Sequence, residues 1–153
     1  METPPYQIRE YDNADKEQLL DLIAVNTPRY FAHSEMKDFE DYLQNHREQY
    51  FVIEVEERIV GSGGINFSPR EKEAVLSWDI IHPDYQNQGL GKALTQRRMD
   101  EISQRSSFDS IRVRTSQLTY QFYEKMGFVL NNVQENYWAE GIDLYDMSKV
   151  LRP

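Results

Sequence analysis

Apolar positions along the chain change their period several times, and each change marks an element. Residues 6–11 alternate in short extended fashion and predict an opening strand. Asp12, Asn13 and Asp15 then supply side chains suited to capping a helix. Leu19, Leu20, Leu22, Ile23 and Val25 follow on a helical stripe that ends near Asn26 and Pro28. A second helix is predicted over 34–47, with Met36, Phe39 and Leu43 on one side.

The run Tyr50-Phe51-Val52-Ile53-Glu54-Val55 is β-branched and aromatic. Glu56-Glu57-Arg58 turns, and a strand resumes at Ile59 through Gly61, Gly63 and Gly64 to Phe67, giving an antiparallel hairpin. A charged turn over 69–72 leads to a third strand over 74–81, closed by Pro83. Leu90, Ala93, Leu94 and Ile102 predict a helix from Leu90 to Ser103. Arg98 interrupts its apolar stripe and would have to reach back to solvent. Residues 110–115 alternate as a strand, and 119–126 form a short helix closed by Gly127. Two last strands lie near 128–134 and 142–150. The order β-α-α-β-β-β-α-β-α-β-β predicts a mixed α/β (α+β) sheet flanked by helices.

At 153 residues the chain has the size of a single domain, spanning 1–153. It contains no cysteine, which excludes a disulfide framework, a thiolate nucleophile and any thiolate metal site. His33, His46 and His82 have no metal-ligand spacing either, so no metal is expected. The 17 basic and 26 acidic side chains leave a net charge of -9. That balance argues against a nucleic acid partner and suits a cationic guest, although solubility alone also explains it. The opening METPPYQIREYDNADKEQLL has no apolar block of the signal-peptide kind, and no run is long enough to span a bilayer. A cytoplasmic chain with no membrane partner is the expectation.

Chemistry concentrates in Ile80-Ile81-His82-Pro83-Asp84-Tyr85-Gln86-Asn87-Gln88-Gly89-Leu90-Gly91-Lys92-Ala93, where a strand ends and two glycines open a helix. Glycine lets the backbone curl and a ligand approach its amides, and a helix start presents unpaired N–H groups and a partial positive charge. Together these make an anion pocket. A Walker-type loop would need glycine at Gln86 and Ser or Thr at Ala93, and a dinucleotide fingerprint would need glycine at Leu94. Neither fits.

Gln86-Asn87-Gln88-Gly89-Leu90-Gly91 resembles the acyl-CoA pyrophosphate loop of the GNAT superfamily of N-acetyltransferases. Phe122-Tyr123-Glu124-Lys125-Met126-Gly127-Phe128 is similar to a second segment of that family, with Val60-Gly61 and Asp146-Met147-Ser148-Lys149 as weaker matches. The resemblance implies a GNAT-like domain with a mostly antiparallel sheet and about four helices. It also implies transfer of acetyl from acetyl-CoA to a primary amine of a small molecule or peptide; related folds often pair through a sheet edge, which leaves a homodimer open. Gln86 opens the loop, and backbone amides of Asn87, Gln88, Gly89, Leu90, Gly91 and Lys92 would hold the pyrophosphate. The strand end at Asp79, Ile80 and Ile81 would pair with the pantetheine arm, with an amide there polarising the thioester carbonyl. Ser116, where the family usually has Asn, would bond the arm, and Tyr123 would face the sulfur. Thr119 stands where the family usually has Ala.

An amine with a pKa near 10.4 must lose a proton before it attacks, which calls for a carboxylate or a water chain ending on one. Asp79 is the first candidate and Glu73 the second, but the plainer reading of Asp79, a solvated or structurally bonded carboxylate, weighs more. Ile111 occupies a place where some relatives carry a glutamate base. For Tyr123, proton transfer from a phenol near 10 to a thiolate near 8.5 is uphill by roughly 1.5 units, about 2 kcal/mol. The acidic chain would offset its repulsion of CoA locally, through the helix dipole, Lys92, and Arg97 or Lys125. Tyr30 and Phe31 could flank the amine, with Glu35 or Asp38 attracting it; equally they are loop anchors. A non-catalytic acyl-CoA sensor or partner module is the alternative reading.

Overall fold

Among the residues described in the computed structural model, 3–151, seven strands and four α-helices form in the order read from the sequence. Strand β1 is Gln7–Glu10. Asp12 accepts from the Ala14 N–H at 2.9 Å, and Asp15 Oδ2 accepts from the Asp12 N–H at 2.8 Å. This reciprocal cap closes a short 3-10 turn and launches helix α1, Lys16–Val25. Helix α2, His33–Asp41, runs on into a π-helical turn, Tyr42–His46. The sequence expected one uninterrupted helix to 47; the wider turn carries Tyr42 and Leu43, both buried, into the core. Strands β2 (Gln49–Val55), β3 (Arg58–Ser68) and β4 (Glu73–Ile81) follow, then helix α3 (Leu90–Ser103). Strand β5 (Ser110–Thr115), helix α4 (Tyr120–Lys125) and strands β6 (Val129–Ala139) and β7 (Ile142–Val150) complete the chain.

The hydrogen-bonded strand order is β1-β2-β3-β4-β5-β7-β6. β4 and β5 pair parallel, whereas β1–β2, β2–β3, β5–β7 and β6–β7 pair antiparallel. By contact density the chain groups into two units. One holds the described residues up to Ile65 with Trp78–Arg98; the other holds Asn66–Ser77 and the residues from Met99 onward.

In the first unit, Leu19, Leu22 and Ile23 of α1 and Phe39 of α2 pack with Tyr50 and Val52 of β2 and Ile80 of β4. Each such apolar side chain removed from water contributes about 1.5–3 kcal/mol. Phe51, next to Tyr50 on β2, faces the other way, where the Arg97 guanidinium of α3 lies 5.3 Å from its ring. The helices α1 and α2 therefore serve one face of these strands and α3 the other. Arg98 corrects the sequence expectation: it does not reach solvent but is 0% exposed. Trp78 in β4 adopts φ 51°, a left-handed conformation that is an outlier for so bulky a residue.

In the second unit, Ile111 and Val113 of β5 alternate inward, and Met147 and Leu144 of β7 are buried with them. Arg112 pairs through two nitrogens with Asp146, its Nε donating at 2.7 Å. β6 runs to Ala139, past the Gln134 end expected from the sequence; its ladder with β7 is irregular between Gln134 and Ala139, where pairing resumes with Ile142.

Candidate functional site

The loop before α3 is built by its own sequence. Asn87 at φ 61° and Gly89 at φ 86° put two left-handed residues on either side of Gln88, backbone geometry from which anion-binding concavities are made. The first helical hydrogen bond is from the Ala93 N–H to the Gly89 carbonyl at 3.0 Å. The N–H groups of Leu90, Gly91 and Lys92 precede it, with no helical acceptor available to them. Leu90, 1% exposed, anchors the helix start, and Thr95 Oγ1 donates to the Gly91 carbonyl at 2.8 Å. A Cβ on Gly89 would come within 2.7 Å of Thr3 Oγ1, so glycine serves both the left-handed turn and the close approach of a neighbour. Lys92 is exposed.

Side chains of the loop hold it in place. Gln88 Nε2 donates to the Asp84 carbonyl at 3.0 Å. Gln86 Oε1 accepts from the Tyr30 hydroxyl at 3.1 Å, and its Nε2 donates to the Ile81 carbonyl at 3.4 Å. Gln86 thus joins the α1–α2 connection to the end of β4. His82 ends the strand, its N–H donating to the Val60 carbonyl at 2.8 Å. Ile80 is buried and Ile81 half-buried.

Asp79 is not an isolated carboxylate. Arg98 Nη1 donates to its Oδ1 at 2.5 Å and Nη2 to its Oδ2 at 2.8 Å, and Nη1 also donates to the Gly64 carbonyl at 3.0 Å. On the residue before it, the Trp78 carbonyl accepts from the Tyr50 hydroxyl at 2.8 Å. Sequence reasoning assigned no site role to Tyr50 or Trp78, and it read Arg98 only as an interruption of an apolar stripe. A signal was present: Gly63-Gly64 sits inside a strand where glycine packs poorly, and it faces Tyr50 and Phe51 in the β2–β3 register.

In the α1–α2 connection, Phe31 stacks on Trp78 with centroids 6.2 Å apart and planes at 16°. The Arg29 guanidinium lies 5.1 Å from the Tyr30 ring centroid. Glu35 is buried, and burial pushes its carboxyl above the usual range although the Ala32 N–H, donating at 2.7 Å, works against that shift. Asp38 is exposed.

Tyr123 and Ser116 belong to the second unit. Tyr123, 5% exposed, sits edge-on to Phe122 and Phe128 at centroid distances of 5.0 and 5.8 Å. Its carbonyl accepts from the N–H groups of Met126 and Phe128, both at 3.0 Å, which closes the helix at Gly127, φ 98°. Ser116 is buried; its Oγ accepts from the Leu118 N–H at 3.2 Å. Glu73 is half-buried, 3.9 Å from Arg112 Nη1.

Comparison with known proteins adds the following. The family model described as an acetyltransferase (GNAT) domain matches residues 12–151. An N-alpha-acetyltransferase of Sulfurisphaera tokodaii is 27% identical, covering 95% of this chain and 93% of that protein. The crystal structure of the ribosomal-protein-S18-alanine N-acetyltransferase from Escherichia coli superposes with a TM-score of 0.80 at 20% identity, over 97% of this chain and 96% of that one. An aminoglycoside 6'-N-acetyltransferase complexed with coenzyme A has a TM-score of 0.76 at 18% identity, over 96% and 98% of the two chains. The last two likenesses describe the fold.

Proposed function

The chain belongs to the GNAT acetyltransferase family, and we propose that this member carries the acetyl group of acetyl-CoA to a primary amine. The observation that carries the donor half is the loop before α3. Its left-handed Asn87 and Gly89, and the N–H groups of Leu90, Gly91 and Lys92 that precede the first helical hydrogen bond, supply the donors and the partial positive charge that suit a diphosphate. In this reading Asp79, Ile80 and Ile81 bind the pantetheine arm along the strand end, and Ser116 adds a hydroxyl to it.

Acetyl-CoA supplies an activated thioester, so the protein's own work is to orient it and to manage two protons. Tyr123 is assigned as the donor to the leaving sulfur. Between an ordinary phenol and an ordinary thiol full transfer is uphill by about 2 kcal/mol, so a hydrogen bond to the developing thiolate is assigned as the larger part of its contribution. Asp79 is assigned as the carboxylate that takes the amine's proton, directly or through water. A carboxylate offers about four lone-pair sites, and Arg98 occupies two of them.

On the acceptor side, the stacked Phe31 and Trp78 give an amine a flat aromatic neighbour, with Tyr30 beside it. A small molecule or a peptide amine fits this description. β6, last in the strand order, exposes Val129, Leu130, Val133 and Tyr137, which supports pairing with a second copy there. No helix among the described residues is long and apolar enough to cross a membrane.

The test is a thermal-shift titration with acetyl-CoA and with CoA, followed by thiol release across a panel of amines. Stabilisation by both nucleotides and amine-dependent thiol release are expected. Binding with no release for any amine would leave only an acyl-CoA sensor, and no binding would end the reading altogether.

A further inference from the structure

Trp78 holds a conformation that an unsupported tryptophan would leave. A left-handed bulky residue costs about 1–3 kcal/mol and persists only where its surroundings over-determine it. Two buried groups do so here. On one side the Tyr50 hydroxyl donates to the Trp78 carbonyl at 2.8 Å, and Ser62 Oγ shares a second hydrogen bond with the phenol oxygen at 2.9 Å. The Tyr50 ring is itself fixed: Tyr42 lies edge-on at 5.8 Å, Tyr11 edge-on at 6.2 Å and Phe39 tilted at 6.1 Å. On the other side Arg98 grips the Asp79 carboxylate at two points.

Adjacent glycines in β3 make both grips possible. Neighbouring strand residues face opposite sides of a sheet. A Cβ on Gly64 would stand 2.5 Å from Tyr50 Cδ1, and one on Gly63 would stand 2.9 Å from Arg98 Nη1 and from Asp79 Oδ1. The Tyr50 and Arg98 contacts therefore reach residues 78 and 79 from opposite faces. A trans peptide is planar, with its C=O and N–H pointing opposite ways. Pinning the Trp78 carbonyl toward Tyr50 consequently aims the Asp79 N–H away from the aromatic core. Burial pushes the Tyr50 phenol well above its ordinary value, so it stays a neutral donor.

We propose that Tyr50 and Arg98 are positioning residues, which clamp the Trp78–Asp79 peptide so that the Asp79 N–H is the donor that polarises the acetyl carbonyl. This rests on the acetyl-CoA reading of the strand end. A donor fixed before reaction stabilises developing charge on the carbonyl oxygen without reorganising, and a loosened one does so poorly. The clamp acts on the acetyl group and not on the nucleotide, so it bears on turnover and leaves the affinity for CoA alone.

The experiment uses acetyl-CoA labelled with carbon-13 at the carbonyl, bound to wild type and to Tyr50→Phe, with its stretching band read by infrared difference spectroscopy. In wild type the bound band lies below that of free acetyl-CoA. In Tyr50→Phe it returns toward the free position, and kcat falls roughly tenfold or more while KM for acetyl-CoA and Kd for CoA stay within about twofold. A merely structural tyrosine would lower the melting temperature without moving the band. Wild-type protein gives an independent measurement that needs no variant to fold: the Asp79 amide proton moves downfield on adding acetyl-CoA and not on adding CoA. A shifted wild-type band that Tyr50→Phe leaves unchanged, with unchanged kcat, overturns the clamp and leaves the cofactor reading standing. An Asp79 amide that responds alike to both nucleotides also overturns it. No binding of acetyl-CoA by wild type overturns the reading itself.

Discussion

Arg98 and Asp79 form a two-point ion pair whose partners differ in access to water: the Arg98 side chain is 0% exposed and that of Asp79 20%. Whichever partner is removed, the other must keep its charge or find new company, and only Asp79 has solvent at hand. The pair therefore fails asymmetrically.

Asp79→Ala leaves a guanidinium in the interior with neutral acceptors, the Gly64 carbonyl at 3.0 Å and Thr95 Oγ1 at 3.5 Å. Breaking a buried pair from that side costs about 3–5 kcal/mol. Arg98→Met fills much of the same volume and lets Asp79 take water, so its cost is expected nearer about 1–3 kcal/mol. Urea unfolding of the two variants measures the order directly, and equal losses would remove the asymmetry. Asp79→Asn keeps an acceptor for Arg98 and separates the chemical role: if Asp79 is the base, the rate profile moves to higher pH.

Tyr123→Phe removes one hydroxyl from a ring that Phe122 and Phe128 already hold. The acetyl-CoA affinity is expected to stay nearly intact while turnover drops at least about tenfold, equivalent to roughly 1.4 kcal/mol of barrier. Turnover equal to wild type, measured by thiol release, would take Tyr123 out of the mechanism.

The three glycines of β3 should rank by what their new methyl would strike. At Gly64 it meets Tyr50 Cδ1 at 2.5 Å and the backbone oxygen of Gln49 at 2.8 Å, neither of which can step aside. At Gly63 it meets the Arg98–Asp79 pair at 2.9 Å, and at Gly61 the mobile ends of Ile81 and Ile53 at 2.8 and 2.9 Å. Overpacking costs about 1–3 kcal/mol, so alanine is expected to be worst at Gly64, intermediate at Gly63 and mildest at Gly61 in melting temperature. A Gly64→Ala protein as stable as Gly61→Ala would contradict the close approach.

Local period and punctuation made the element order legible, because Leu19, Leu22 and Ile23 sit at helical spacing and Ile111 and Val113 alternate. The loop before α3 was legible for the same reason: glycines and a helix start are local features. What escaped is long-range. Arg98 looks like an interruption until Asp79, on another element, supplies its charge, and a left-handed Trp78 has no signature of its own because Tyr50 enforces it across the sheet. Gly63-Gly64 carried that information in negative, as space kept for partners that the sequence does not name. The two-stage helix over 33–46 was missed likewise, since the π-helical turn answers to the packing of Tyr42 and Leu43 and not to propensity.

Acid stability should report Asp15. Its oxygens accept from Arg9 Nη1 and Nη2, both at 2.8 Å, and Oδ2 also accepts from the Asp12 N–H. The Arg9 hydrogen bonds hold this carboxyl below the usual carboxylate range, outweighing a burial effect in the opposite direction, with the Asp12 amide assisting. A carboxyl whose pKa is lower folded than unfolded stabilises fully above its unfolded value, about 3.9 for an ordinary aspartate, and loses that contribution as pH falls through the folded one. Unfolding free energy should therefore decline below about pH 4 in wild type, and less steeply in Asp15→Asn, which still offers Asp12 an acceptor. The gap between the two proteins, about 1–3 kcal/mol for hydrogen bonds to a charged group, should be widest near neutrality and close toward low pH. Arg9 stays engaged with Glu54 in both, so the comparison isolates the Asp15 carboxylate. Parallel curves down to strong acid would mean that the carboxylate is worth no more folded than unfolded.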